Sequence, residues 1–249
     1  MRVMRSILRE IQMNAKPPLL LLHAALGSAA QLEPLANLLR DRFSVLTLDF
    51  EGHGLRAAPL RPLRNAGMAE NVIELLDARG LESVPIFGHS MGGYVALYLC
   101  AHHPERIAGV HTLGTYFDWE PVSAARMLQD LDADQIEEKV PKYAAALDVR
   151  HRACHWRDVV SRTAEMIHKA GENADLKTAM LAEIHQPVRI GVGDRDTLTP
   201  VESCAAVARA LPLGELVVFP RTTHPIERAP LDELARSIQS FSESVTNGC

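Results

Sequence analysis

A serine stands between glycines at the point where an apolar strand pattern turns into an apolar helix pattern. The stretch PIFGHSMGGYVALYLCAHHP covers residues 85–104, and its G-x-S-x-G core places Ser90 midway between Gly88 and Gly92. A sharp strand-to-helix turn exposes such a serine, and it brings the residues two before and two after it so close that only glycine fits. Gly93 would let the following helix lie close to a neighbouring strand. The spacing indicates a nucleophilic serine, although a glycine-rich turn with an inert serine has the same pattern.

A nucleophilic serine needs a base, and the base needs an acid that orients it. Asp194 and Asp196 follow the apolar run at 187–193, which places them in a short loop at the carboxyl end of a predicted strand. Sites built on parallel sheets form at this end. Thr199 is predicted as the N-cap of the next helix, with proline after it. Asp196, deeper in the loop, is therefore the predicted acid, and Asp194 is predicted to be a solvated turn residue.

Eleven histidines compete for the role of base, and their positions along the chain separate them. His224 follows the last apolar run, so it also stands in a loop at the carboxyl end of a strand. His89 adjoins the nucleophile, but we expect its side chain to point away from the serine side of the turn. The order Ser90, Asp196, His224 is the chain order that accompanies this kind of serine turn. His224 is the predicted base, against the alternative of an ordinary structural histidine.

A carbonyl oxygen that gains negative charge during attack needs N–H donors already in place. One donor is expected from the residue after the nucleophile, Met91, and another from the loop after the first apolar run, residues 23–31. Ala25 is the candidate in that loop. Their backbone amides would act, so the side chains at these two positions matter less.

Six short apolar runs alternate with helix-like stretches along the chain. Continuous apolar runs indicate strands buried on both faces of a parallel sheet, and the alternation implies right-handed crossovers. The predicted strands cover residues 19–23, 45–50, 84–88, 107–114, 187–193 and 215–220. The predicted helices cover about 32–41, 66–79, 91–103, 200–210 and 228–242. The fold class is thus α/β, with a mostly parallel central sheet flanked by helices.

The alternation is interrupted once, between Gly114 and Gln186, where the sequence is helix-like and charged. A separate helical domain and a helical insertion lying over the sheet would both give this pattern. Because the strand pattern resumes afterwards, the insertion is favoured. The predicted organisation is a core formed by residues 1–115 and 186–249, with the insertion at 116–185.

Composition limits the class of partner and the location. Among 249 residues the formal net charge is −5, which disfavours nucleic acid as the main partner because phosphate binding needs a basic surface. The longest apolar run near the start is far too short to cross a membrane, and the N-terminus lacks the apolar core of a signal peptide. The four cysteines are far apart and are read as free thiols in a reducing compartment. A cytoplasmic location is expected, with no metal and no cofactor, and the sequence makes no prediction of oligomeric state.

Taken together, five segments resemble the α/β-hydrolase superfamily, in its single-domain group with a helical cap. The segments are LLLLHAALGS, LDFEGHG, IFGHSMGG, GVGDRDTLTP and PRTTHPIERAP. The resemblance runs from about residue 17 to about residue 242. Esterases, lipases, C–C hydrolases and thioesterases share these motifs, so the resemblance is specific for the superfamily and weak for one activity. Some members place the acid after the preceding strand, which makes Asp118 the second choice for that role.

Three positions depart from the superfamily pattern. Ala24 stands where glycine usually follows the histidine of the oxyanion loop, so this loop is expected to be tighter than usual. Thr223 replaces the usual glycine before the catalytic histidine, and Arg56 replaces a serine after the D-x-x-G-x-G loop. None of the three removes a predicted catalytic side chain. Ser90 itself argues against members that use an aspartate nucleophile, the epoxide hydrolases and haloalkane dehalogenases.

The insertion is expected to form a cap over Ser90 and to line the substrate pocket. The first half of the insertion is acidic and its second half is basic. The simplest interpretation is that these halves form two solvated helix faces that attract each other. A more specific interpretation is that one or two of Arg150, Arg152 and Arg157 point inward and pair with a substrate carboxylate. Trp119 and Trp156 would then supply apolar walls.

The sequence therefore predicts a serine hydrolase that cleaves an ester or ester-like bond of a small molecule through a Ser-His-Asp triad. The first alternative is a C–C bond hydrolase or a lyase that uses the same triad. The second is a ligand-binding receptor that keeps the triad but has little turnover.

Overall fold

A computed structural model describes residues 16–247 and shows a six-stranded parallel sheet. The strands stand in the order β2-β1-β3-β4-β5-β6, and every neighbouring pair is parallel. They are β1 (Pro18–Leu22), β2 (Ser44–Thr47), β3 (Val84–His89), β4 (Ile107–Leu113), β5 (Val188–Gly193) and β6 (Gly214–Phe219). The predicted α/β class with a parallel central sheet is confirmed.

Helices cover both faces of this sheet. Five of them alternate with the strands: α1 (Glu33–Leu39), α2 (Asn65–Ala78), α3 (Met91–His102), α9 (Val201–Ala210) and α10 (Leu231–Asn247). Another five lie between β4 and β5: α4 (Pro121–Leu128), α5 (Ala133–Lys139), α6 (Pro141–Arg150), α7 (Trp156–Glu172) and α8 (Thr178–Leu181). We call residues 114–187, which contain these five helices, the helical segment.

The run of leucines in β1 shows why a strand that is covered on both faces can be apolar at every position. Successive side chains of a strand point to opposite faces of the sheet. Leu20 and Leu22 accordingly belong to the core under α2, α3 and α9. Leu19 and Leu21 belong to the core under α1 and α10. Since both faces are covered, β1 shows no alternation between apolar and polar residues.

The helical segment has a small apolar cluster of its own. Ile136, Leu147, Trp156 and Val160 are buried together with Leu26 from the loop after β1. The segment is therefore joined to the sheet through that loop. The division of the chain at residues 116 and 185 remains a prediction, and residues 1–15 of the predicted core lie outside the described part.

Element ends differ from the predictions in two places that matter. Pro200 rather than Thr199 is the N-cap, and α9 begins at Val201, so the predicted Thr199 cap is wrong by one residue. Helix α10 begins at Leu231 rather than at 228, because a 3₁₀ turn and a proline precede it. Of the cysteines read as free thiols, Cys249 lies outside the described residues, and the other three are free.

In the part of the chain that the structure describes, no helix is both long enough and apolar enough to cross a membrane.

Candidate active site

Ser90 occupies the turn between β3 and α3 in a conformation that is rare for any residue except glycine. Its φ is 51° and its ψ is −115°. The backbone holds this geometry because the Ser90 N–H donates to the Leu113 carbonyl at 2.8 Å, while the Gly93 N–H and the Thr115 hydroxyl donate to the Ser90 carbonyl, each at 3.0 Å. A strained residue that its surroundings hold in place is typical of a functional site.

The glycines around Ser90 are required by close backbone contacts. A Cβ at Gly88 would lie within 3 Å of the Gly92 and Gly93 backbone, and one at Gly92 would meet the Leu22 carbonyl oxygen at 2.5 Å. A Cβ at Gly93 would collide with the Thr115 hydroxyl. The turn can therefore form only with glycine at these three positions.

His224 and Asp196 complete a hydrogen-bonded chain that begins at Ser90. His224 Nε2 lies 3.2 Å from Ser90 Oγ, and His224 Nδ1 donates to Asp196 Oδ2 at 2.8 Å. The side chain of Asp196 is only 2% exposed. Its other oxygen accepts the N–H groups of Leu198 and Thr199, each at 2.9 Å. The arrangement allows His224 to take a proton from the hydroxyl while the carboxylate fixes the imidazole.

The other two candidate aspartates lie elsewhere. Asp194 Oδ1 accepts the Thr222 N–H at 3.1 Å, and backbone hydrogen bonds, led by that of Arg221, hold the pKa of Asp194 below its ordinary value. Asp118 Oδ2 accepts a hydrogen bond from the Ser203 hydroxyl. Among the three, the structure brings Asp196 to His224.

His89 does not point away from the site, as the sequence suggested it would. Its ring lies 5.4 Å from the His224 ring, and its Nε2 donates to the His224 carbonyl oxygen at 2.9 Å. Burial lowers the pKa of His89 to about 4, with the nearby His224 acting in the same direction. A neutral His89 is therefore a fixed support for the loop that carries His224.

Ala25 and Met91 lie on the wall of the same cavity as Ser90. Neither of their N–H groups donates to a loop or turn carbonyl in the described part of the chain. The loop before Ala25 is held tightly, because the Ala24 carbonyl accepts from the Gly27 N–H at 3.0 Å and from His23 Nδ1 at 2.7 Å. Alanine at position 24 thus stands in a closed turn, and the expectation of a loop tighter than usual stays a prediction.

A cavity of about 440 Å³ lies over Ser90, between the sheet and the helical segment. Its walls are mostly apolar and include Trp119, Met127, Leu131, Ile136, Met166 and Ile167. Arg150, Glu227 and Asn65 add a few polar groups. An apolar cavity with few polar groups is typical of a small-molecule site.

Two of the five residues predicted to bind substrate face this cavity. Trp119 lies on its wall, and so does Arg150, whose Nη1 also donates to the Leu26 carbonyl at 2.7 Å. Arg150 also hydrogen-bonds the Tyr143 side chain. Since a guanidinium has five N–H donors, Arg150 can still receive an anion.

The structure does not bring the other three to the cavity. Arg157 forms ion pairs with Asp134 and Glu137 near the surface, its guanidinium lying 5.1 Å from the centre of the Trp156 ring. Arg152 is exposed and donates to the backbone three residues earlier. Trp156 is buried within the apolar cluster of the helical segment. Arg157 and Trp156 thus hold helices of the segment together, whereas Arg152 bonds to the backbone beside it. The predicted inward positions of Arg152, Arg157 and Trp156 are corrected.

Comparison with known proteins assigns the chain to a family. A family model described as alpha/beta hydrolase fold matches residues 17–162. The chain belongs to the α/β-hydrolase fold family. A protein described as the carbamate hydrolase RutD of Agrobacterium fabrum is 26% identical over 86% of this chain and 88% of that protein. The 2-(acetamidomethylene)succinate hydrolase of Mesorhizobium japonicum is 23% identical over 92% of this chain and 88% of that protein.

Solved structures share the fold. A thermophilic esterase from Thermogutta terrifontis superposes with a TM-score of 0.72 at 21% identity, over 93% of this chain and 91% of that one. Membership of the family, with relatives named as hydrolases and esterases, makes this chain an α/β-fold hydrolase.

Sequence reasoning missed His151, which lies at the end of α6, and the supporting contact of His89. No spacing in the sequence connects either residue to the partner that it contacts. Within residues 16–247, no group of three or more His, Cys, Asp or Glu side chains is placed to hold a metal ion.

Proposed function

We propose that the chain is a serine hydrolase that cleaves an ester or ester-like bond of a small molecule through an acyl-enzyme. The observation that carries this proposal is the hydrogen-bonded chain from Ser90 through His224 to the buried Asp196. It lies at the floor of a cavity of the size that a small molecule needs.

The proposed reaction has two halves. Ser90 Oγ attacks the carbonyl carbon while His224 Nε2 takes its proton, and the same proton then goes to the leaving group as the acyl-enzyme forms. Water repeats the attack with His224 as base, which releases the acid and restores Ser90. Asp196 keeps the proton-bearing Nδ1 of the imidazole in place and stabilises its charged form.

The proposed oxyanion donors are the N–H groups of Ala25 and Met91. Met91 is the first residue of α3, so its N–H lies at the positive end of the helix dipole. Donors that are fixed before the reaction need no reorganisation as the charge develops.

The proposed substrates carry a carboxylate, and the proposed partner of that carboxylate is Arg150. The helical segment would act as the cap that encloses them. Arg150 is the one arginine or lysine among the described residues that line the mostly apolar cavity, whose wall also carries the carboxylates of Asp130 and Glu227. One relative is named for a substituted succinate, which carries carboxylates, and another for a carbamate, in which the carbonyl is attached to nitrogen. An acyl group attached to nitrogen is therefore included in the proposed class beside an ester.

Turnover of p-nitrophenyl butyrate tests the chemistry. Ser90→Ala should abolish turnover, and a fluorophosphonate probe should label Ser90 in the wild-type protein. Ser240→Ala, at an exposed serine of α10, is the matched control and should behave as wild type. Binding of the ester without turnover would favour the receptor alternative, and labelling of another serine would overturn the assignment of the nucleophile.

A pair of esters tests the substrate class. Arg150→Gln should raise KM for p-nitrophenyl hemisuccinate at least tenfold more than KM for the neutral butyrate. Arg152→Gln, at the exposed neighbour of Arg150, should leave the ratio of the two KM values unchanged. An equal change for both esters in Arg150→Gln would contradict a carboxylate subsite.

A further inference from the structure

The helical segment holds the loop that carries the proposed oxyanion donor. The Leu26 carbonyl oxygen accepts two hydrogen bonds from the end of α6, one from Arg150 Nη1 at 2.7 Å and one from His151 Nε2 at 3.1 Å. Leu26 directly follows Ala25. Both donors therefore act one residue away from the amide that the proposed reaction uses.

His151 has a protonation state that its partners dictate. Its Nδ1 accepts the Gly54 N–H at 2.9 Å, so the ring proton must be on Nε2, which donates to Leu26. The residue is 1% exposed. Burial, the largest effect, together with the positive charge of Arg150, lowers the pKa of His151 below its ordinary value. A neutral imidazole thus spans two loops of the core, those that contain Leu26 and Gly54.

Leu26 needs this support because its backbone is unfavourable on its own. Its φ is 55°, in the left-handed region that costs a residue with a side chain about 1 kcal/mol or more. The two donors also satisfy a carbonyl oxygen that packs under the helical segment. Without them the peptide between Leu26 and Gly27 would keep only the hydrogen bond from the Gly27 N–H to the Ala24 carbonyl.

Ala25 lies between this support and a second one. On its N-terminal side the Ala24 carbonyl belongs to the same peptide as the Ala25 N–H, and His23 and Gly27 hold that carbonyl. On its C-terminal side Arg150 and His151 hold Leu26. Because a peptide unit is planar, the held Ala24 carbonyl sets the direction of the Ala25 N–H. The held Leu26 carbonyl restricts the backbone torsions through which Ala25 could move.

We propose that His151, assisted by Arg150, is a positioning residue that aims the Ala25 N–H at the oxyanion by holding the Leu26 carbonyl. This rests on the proposed function, since it assigns a task within the same reaction. It couples the helical segment to the chemical step: the loop has its active geometry when the end of α6 is in place. A purely structural alternative is that His151 only fastens the segment to the core.

Two substitutions at position 151 separate these roles. The Gln side chain reaches the place of Nε2 and can donate to Leu26, whereas the shorter Asn reaches the place of Nδ1 and can accept from Gly54. His151→Asn should lower kcat for p-nitrophenyl butyrate by about tenfold to a hundredfold with KM within about threefold, since losing a whole oxyanion donor costs 10² to 10³ in kcat. His151→Gln should recover most of the lost kcat.

Inhibitor affinity provides the readout that a structural role would not change. A butylboronic acid forms a tetrahedral adduct with Ser90, so His151→Asn should weaken it by the same factor as kcat, while binding of neutral butyramide stays within about threefold. Thermal denaturation of both variants shows that they are folded.

The outcomes distinguish this proposal from the proposed function. If Ser90→Ala retains activity, the function itself is wrong. If Ser90 is essential but folded His151→Asn keeps wild-type kcat and boronate affinity, only the positioning role is overturned. Equal losses in His151→Asn and His151→Gln that follow their melting temperatures would also overturn it, in favour of the purely structural role.

Discussion

Four of the buried histidines have pKa values so low that they should make this protein sensitive to mild acid. Burial lowers the pKa of His23, His53 and His111 to about 3 and that of His89 to about 4, all from an ordinary value of 6.5. In the unfolded chain these imidazoles regain the ordinary pKa. Between pH 6.5 and about 4 the unfolded state therefore binds more protons than the folded state, and the stability present above pH 6.5 is lost as the pH falls.

The size of the effect follows from these pKa values. Between pH 6 and pH 5 each such histidine lowers the free energy of unfolding by about 1.2 kcal/mol, and the four together lower it by about 5 kcal/mol. A typical domain has a total stability of only about 5–15 kcal/mol. If the total stability lies at the low end of this range, unfolding is expected near pH 5, above the ordinary pKa values of carboxylates.

Urea denaturation between pH 8 and pH 5 measures this dependence, and one substitution isolates a single histidine. His111 lies on β4 with its ring against Phe87 and Phe241, and it is not part of the Ser90–His224–Asp196 chain. His111→Phe should therefore reduce the fall in unfolding free energy between pH 6 and pH 5 by about 1.2 kcal/mol. His185→Gln, at an exposed histidine, should leave the fall unchanged. A free energy of unfolding that stays flat from pH 6.5 to pH 5 would refute the reasoning.

Three further outcomes are expected from the local geometry. Ser90→Gly and Ser90→Ala should both be inactive, but the glycine variant should be more stable by about 1 kcal/mol in thermal or chemical denaturation, because only glycine relieves the positive φ. Asp196→Asn should lower kcat by about 10⁴-fold, as the analogous change does in a serine protease, whereas Asp194→Asn should lower kcat less than tenfold. If steady-state kinetics show the larger loss for Asp194→Asn, the choice of acid is wrong. Thr163 has a fully buried hydroxyl with no hydrogen-bond partner in the described residues. Thr163→Val should therefore raise the free energy of unfolding by about 1 kcal/mol. A lower melting temperature in this variant would show that the hydroxyl is paired.

Local sequence patterns determined the sheet and the turn at Ser90. Strands covered on both faces are recognisable because most of their residues are apolar, and the six predicted runs match the six strands within a few residues. The glycines at 88, 92 and 93 mark the turn because a side chain there would collide with the backbone or with Thr115. In a parallel sheet, residues that follow strands meet at one edge, which is why Asp196 and His224 could be named before their contact was seen.

Only the tertiary structure decided which residues of the helical segment face the cavity. Arg150, Arg152 and Arg157 have the same chemistry in the sequence, yet only Arg150 turns inward, since direction on a helix depends on where that helix begins and against what it packs. The contact between Arg150 and Leu26 joins residues 124 positions apart, and that between His89 and the His224 carbonyl joins residues 135 apart. Periodicity describes neighbours within one element, whereas these contacts arise from the packing of separate elements, which is set by the whole fold.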